Sequence, residues 1–148
     1  MSTIQPELIS ILSIKVFKAI QTTTDEYLDN PVNPDGVEIK IGQNTALNVE
    51  PKNIRIRLNI QLEAKKGESE PIGLSGEYGL EFQIHVENLD QFLVEKEGKT
   101  LIDSKLGGTL SEIVFSTARG IIFERTSSTF FNGVLLPVID PNLLLDPK

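Results

Sequence analysis

The chain has 148 residues, enough for one domain with a core of its own and too few for two comfortable ones, so a single domain over 1–148 is expected. It has no cysteine and one histidine, His85, which excludes disulfide staples and any cysteine- or histidine-rich metal cluster. Its 14 Lys and Arg against 21 Asp and Glu leave a net charge of −7, which repels phosphate backbones and argues against a nucleic-acid partner. The N-terminus carries neither a basic region nor an apolar core of signal-peptide type, and no stretch reaches the roughly 18 apolar residues of a membrane span. A cytoplasmic protein without a membrane partner is the expectation.

Four stretches read as strands. The first, from about Leu8 to Ile20, is apolar at Leu12, Ile14 and Val16, while Ile9 and Ile11 fall in the opposite register. A bulge in mid-strand would reconcile the two halves. A dense turn signal, Asn30-Pro31 through Asp35-Gly36, leads to the second strand, where Val37, Ile39 and Ile41 alternate with charged residues. After Pro51-Lys52-Asn53 comes the third, with Ile54, Ile56, Leu58, Ile60 and Leu62 in unbroken period two. One face of it is buried and the other wet, as an antiparallel sheet allows. The fourth keeps one parity from Ile72 to Val86, and Gly73, Gly76 and Gly79 make its first half prone to bending.

From Asn88 to Gly108 the pattern changes. Phe92-Leu93-Val94 and Leu101-Ile102 flank a Glu-Lys-Glu-Gly-Lys turn, which fits a short helix or a small hairpin. Thr109 and Glu112 then form a capping-box signature that starts a long helix ending near Arg125. Leu110, Ile113, Val114, Thr117, Ala118, Ile121 and Ile122 make its core-facing stripe. Strands followed by helix predict an α+β fold, a four-stranded antiparallel sheet backed by the helix on one face.

The helix carries more apolar surface than one sheet covers. Phe115, Arg119 and Phe123 recur at i, i+4, i+8 on a neighbouring face, and Gly120 costs helix stability unless another backbone approaches closely. These residues either touch the chain's own loops or form an oligomer interface, and the second reading is preferred. Downstream, Phe130-Phe131 and Val134-Leu135-Leu136 make a connector too apolar for a solvated loop.

The order of elements and the last third of the chain resemble the SecB family of export chaperones. The residues that carry the resemblance are Phe115-Ser-Thr-Ala-Arg119 in the long helix, Arg125-Thr-Ser-Ser-Thr-Phe130, Leu135-Leu136-Pro137-Val138, and Asp140-Pro-Asn-Leu-Leu-Leu145. The resemblance implies a tetramer built as a dimer of dimers, with the long helices between facing sheets. It also implies ATP-independent binding of non-native or precursor polypeptides in apolar grooves, without a cofactor. Carried over by position, client contacts fall on Phe130, Phe131, Val134, Leu135 and Leu136, on Leu143 and Leu144 in a short last helix, and on Phe17 and Phe82. The oligomer interface falls on Phe115, Arg119, Gly120 and Phe123. The family's typical member continues into a tail that contacts the export ATPase. This chain stops at Lys148, which puts that contact in doubt and raises protection of an antitoxin as a second family role.

Catalysis finds no support in the residues. His85 lies on the wet parity of the fourth strand, no glycine run matches a phosphate-binding loop, and Asp25, Glu26 and Asp29 lack calcium-loop spacing. On the resemblance, together with the apolar connector, a holdase chaperone is the leading expectation. An oligomeric structural or adaptor module, or a small apolar-ligand carrier, stands as the alternative.

Overall fold

In the computed structural model, which describes residues 3–138, a single four-stranded antiparallel sheet is built from β1 (Ile9–Thr23), β2 (Gly36–Asn48), β3 (Asn53–Lys66) and β4 (Glu70–Val86). The strand order is β1-β4-β3-β2, so β3 and β4 are central while β1 and β2 are edges. Register follows side-chain chemistry: Ile54, Ile56, Leu58 and Ile60 on β3 stand opposite Ile84, Phe82, Leu80 and Tyr78 on β4, all on one buried face. A one-residue slip would turn this whole set to water, which is why the register is strongly specified.

The expected irregularity in β1 is present twice. Pairing with β4 shifts between Ile11 and Ser13 and again between Val16 and Lys18, leaving Leu12 and Phe17 as extra residues. The first bulge reconciles the two registers seen in the sequence. After β1 a five-residue helix, α1 (Asp25–Asp29), is capped by Thr24, whose hydroxyl accepts from Tyr27 N at 3.2 Å. The acidic cluster at its start thus sits at a helix N-terminus rather than in a loop, where the backbone dipole favours it. Thr24 also dictates Gly73: with φ at +89° the position is left-handed, and a Cβ there would collide with the Thr24 hydroxyl.

The ambiguous stretch resolves into a 3-10 turn at Leu89–Phe92 and a hairpin of β5 (Leu93–Lys96) and β6 (Lys99–Ile102). Its two-residue loop, Glu97-Gly98, has both residues at positive φ, the turn geometry that matches strand twist.

The long helix, α2 (Ser104–Thr126), begins five residues before the expected Thr109. Asp103 is the cap, accepting from Lys105 N at 2.9 Å. Thr109 lies inside the helix, with its hydroxyl donating to Lys105 O, so the capping-box reading is corrected. Gly107 and Gly108 masked the true start because they weaken helix propensity where this helix already runs. Leu106, Leu110, Val114, Phe115, Ala118 and Ile122 form the buried stripe against the sheet. Phe115 is only 3% exposed, so within the protomer it is core.

Candidate functional site

The apolar segment that follows α2 is held by one hydroxyl. Thr126 closes the helix fully buried, its Oγ1 donating to Ile122 O at 2.7 Å and accepting from Val134 N at 2.7 Å. Around it, Gly133 N donates to Thr126 O at 3.0 Å and Thr129 Oγ1 donates to the same carbonyl at 2.8 Å. Asn132 and Gly133 take positive φ in the reversal, and the Phe123 ring packs against Gly133. Further on, Arg119 Nε donates to Leu136 O at 3.2 Å while its guanidinium lies 5.5 Å from the centre of the Phe115 ring. Buried backbone groups need such partners, and here they tie the connector to the helix at both ends.

Pinned in this way, the connector alternates. Val134 and Leu136 point inward and are buried, while Leu135 is 67% exposed and Val138 still more so. Phe131 is half-buried between the main core and a smaller cluster of Tyr27, Ala64 and Leu74. Phe130 stands edge-on to Tyr27, with ring centroids 5.6 Å apart, and is 48% exposed. Phe123, close by over Gly133, is exposed to a similar degree. The outcome is a fixed strip with Phe123, Phe130, Leu135 and Val138 directed at solvent.

The structure therefore divides the residues expected to contact clients. Phe130, Phe131 and Leu135 come together on the connector with solvent access. Val134 and Leu136 belong to the same segment but face the core, and Phe82 lies fully buried in the centre of the sheet. Phe17 is half exposed, but on β1, where its ring covers Gly79 on the sheet face away from the helix. Leu143, Leu144 and the expected last helix lie outside the described residues. Of the expected interface residues, Phe115 is core, Arg119 is engaged within the protomer, and Gly120 and Phe123 are exposed. A Cβ at Gly120 would meet nothing within 4 Å in the protomer.

Sequence reasoning missed two features. Thr126 reads in sequence as one polar residue in a polar run, and only its burial marks it as the hub. The second is β1, where Ile11, Leu12, Ile14, Phe17 and Ile20 are all exposed along an unpaired edge. The sequence shows apolar residues in both registers of this strand, and only the sheet order shows that it is an edge.

His85 is held by a hydrogen-bond partner at each ring nitrogen. With the Asn53 amide turned so that its nitrogen donates to Pro51 O, Lys52 O and His85 Nδ1, the imidazole donates from Nε2 to Glu87 at 3.0 Å. Glu87 is held below its ordinary pKa by that bond and by Lys52. Burial raises the Tyr78 phenol, and Arg125 draws it part of the way back.

No family model matches the chain, and no curated protein does. Among solved structures, it superposes on the Mycobacterium tuberculosis Rv1957 SecB-like chaperone in complex with a ChAD peptide from the Rv1956 HigA1 antitoxin. The TM-score is 0.58 at 9% identity, over 90% of this chain and 92% of that one. A protein of unknown function from Streptococcus agalactiae is also similar, at 10% identity and a TM-score of 0.45, over 88% of this chain and 97% of its own. The protein thus has an α+β, SecB-like fold, as the order of its elements implied.

Proposed function

We propose that the protein is a SecB-like chaperone that holds non-native polypeptide segments without ATP. The observation that carries this reading is the connector: three large apolar side chains, Phe130, Leu135 and Val138, turned outward beside Phe123 of α2, from a backbone that hydrogen bonds to the helix hold in place. Apolar groups on a fixed strip offer a client burial without first ordering the binder, which lowers the cost of association. The client site comprises Phe130, Phe131 and Leu135, with Phe123 and Val138 beside them. An antitoxin-type client is favoured over an export precursor, because the M. tuberculosis fold neighbour holds an antitoxin peptide. Binding, not catalysis, is the activity, and the cytoplasm is its setting.

We also propose a homo-oligomer, a dimer of dimers. Support comes from the β1 edge, where five exposed apolar residues line a strand with one row of unpaired backbone groups. Among the described residues no helix is long and apolar enough to cross a membrane, so a bilayer-spanning helix does not explain that surface.

The test is suppression of aggregation of a denatured client at near-stoichiometric ratio. Wild type should suppress it, and Phe130→Ser with Leu135→Ser should not, at an unchanged circular dichroism spectrum. Failure of the wild type to protect several unrelated clients would sink the proposal. For assembly, Leu12→Glu should lower the mass seen by light scattering; a monomeric wild type at micromolar concentration would end that part of the reading.

A further inference from the structure

The sheet face turned away from α2 carries a groove that neither the connector nor the core explains. Register places Gly42 on β2 beside Asn59 on β3, and Asn59 beside Gly79 on β4. Two of the three positions in this row have no side chain, so the row is a trough between taller neighbours. At one end it is closed by Phe17, the extra residue of the second β1 bulge, whose ring occupies the space a Cβ at Gly79 would need. At the other it is open, since a Cβ at Gly42 would meet nothing within 4 Å. The remaining lining residues are Asn44, Arg55, Arg57 and Glu81.

The charge of this lining runs against that of the protein. A chain of net charge −7 presents two arginines and one carboxylate here. The carboxylate is already committed: Glu81 accepts from Arg57 Nε at 2.8 Å and from Gln83 Nε2 at 3.0 Å. Arg55 lends Glu81 only a weaker pull at longer range. Among the described residues its one hydrogen bond is a long one, from a terminal nitrogen to Asn44 Oδ1 at 3.3 Å, and its Nε is buried without an acceptor. A guanidinium so loosely held can turn its terminal nitrogens to a ligand carboxylate, and such charge-assisted bonds are the stronger kind. Lys15 on β1, in register with Glu81, adds a further cation on the same face.

We infer that this groove binds an acidic polypeptide segment, with a carboxylate on Arg55 and an apolar or aromatic side chain against Phe17. With Phe17 standing over Gly79, the open part of the trough runs from β4 to β2, two spacings of about 4.8 Å or roughly 10 Å. That length takes about three residues of extended chain at roughly 3.4 Å each. An open trough of that length suits a peptide laid across the strands better than an enclosed small molecule. The site lies on the opposite side of the sheet from the connector and stands or falls independently of the chaperone reading.

The experiment uses the full chain and fluorescein-labelled pentapeptides, one Gly-Asp-Phe-Glu-Gly and one Gly-Lys-Phe-Lys-Gly, read by anisotropy. The acidic peptide should bind, and its affinity should fall as NaCl rises from about 50 to about 500 mM, because the contact is a partly exposed charge pair. Arg55→Gln should weaken it by about tenfold, the worth of one charge-assisted hydrogen bond. Gly42→Trp fills open space on an edge strand and should abolish binding while leaving the melting temperature unchanged. Phe130→Ser should leave it intact, which separates this groove from the connector. Equal binding of the lysine peptide, full competition by millimolar inorganic phosphate, or indifference to Gly42→Trp would each overturn the inference.

Discussion

Replacing Phe115 by alanine decides where the apolar surplus of α2 belongs. The ring is 3% exposed and packed in the main core, and the Arg119 guanidinium lies 5.5 Å from its centre. Truncating a buried phenylalanine costs about 3–5 kcal/mol through lost transfer energy and the cavity left behind. Loss of the partly exposed cation–π contact adds about 0.5 kcal/mol, for about 4 kcal/mol in all. At a urea m-value of about 2 kcal/mol/M, the unfolding midpoint should fall by about 2 M. Far-UV circular dichroism in urea, at two protein concentrations tenfold apart, measures it. If Phe115 served mainly a subunit interface, the midpoint would barely move at high concentration while the mass in light scattering dropped. A midpoint shift below about 0.5 M together with that drop would refute the core assignment.

Other positions give sharper local tests. Gly120→Ala enters open space in mid-helix and should stabilise the protein by about 0.5–1 kcal/mol; a loss of stability instead would reveal a close backbone neighbour supplied by another subunit. Thr126→Val keeps the shape of the hub but strands Val134 N, so it should cost about 1–3 kcal/mol and speed amide exchange at Gly133 and Val134. Unchanged exchange there would mean the connector is held by its side chains alone. Acid should also destabilise the fold. Glu81 is lowered by its hydrogen bond from Arg57 and then Gln83, and Glu87 by His85 and then Lys52, from an ordinary value of 4.5. A folded pKa below the unfolded one means this stabilisation is present above the unfolded value and is lost as pH falls through the folded one. Thermal melts between about pH 6 and pH 3 should show the loss, and Glu81→Gln should flatten it. Glu87 is exposed and Glu81 only partly covered, so the change is small and should shrink further in salt.

Much of the sheet was legible in the sequence because its pattern is strict. Ile54 to Leu62 alternate without exception, and that run alone fixes which face of β3 meets the core. The opposed registers of Ile9–Ile11 and Leu12–Val16 likewise forced a bulge, and one lies there. The start of α2 was hidden by its own glycines: Asp103 caps it, but Gly107-Gly108 in the first turns imitates a loop. Phe115 was misassigned because a helical wheel shows which residues share a stripe but not how wide a stripe the sheet accepts. With six apolar side chains from Leu106 to Ile122 buried, the sheet takes the stripe that includes Phe115. On the connector, composition signalled an apolar segment but not its alternation. The inward turn of Val134 and Leu136 depends on the hydrogen bond that Val134 N donates to Thr126 and the one that Leu136 O accepts from Arg119, neither of which has a local sequence signature.

The two edges of the sheet show where the remaining apolar surface has gone. On β2 the large apolar side chains, Val37, Ile39, Ile41 and Leu47, are partly buried against the core, and charged or small residues face water between them. That is how a protein keeps an edge from pairing with another chain. On β1 the same care is absent: Ile11, Leu12, Ile14, Phe17 and Ile20 are exposed, and its lysines, Lys15 and Lys18, share the strand with them. An edge of fifteen residues left in that state is an aggregation hazard unless something pairs with it or the bulges turn it aside. The bulges do part of this by swinging Phe17 onto Gly79, which also closes the groove over Asn59. They leave Ile11, Leu12, Ile14 and Ile20 exposed, the first three clustered at the first bulge, where Leu12 is the extra residue with Ile11 and Ile14 on either side of it. Self-association through this edge satisfies the backbone groups and the apolar side chains together. Exposed apolar surface on the helix would need a partner for its side chains alone. If the proposed oligomer forms, its contact therefore falls first at β1, with Gly120 of α2 in a secondary role, and the connector and Phe123 are left open for the proposed client.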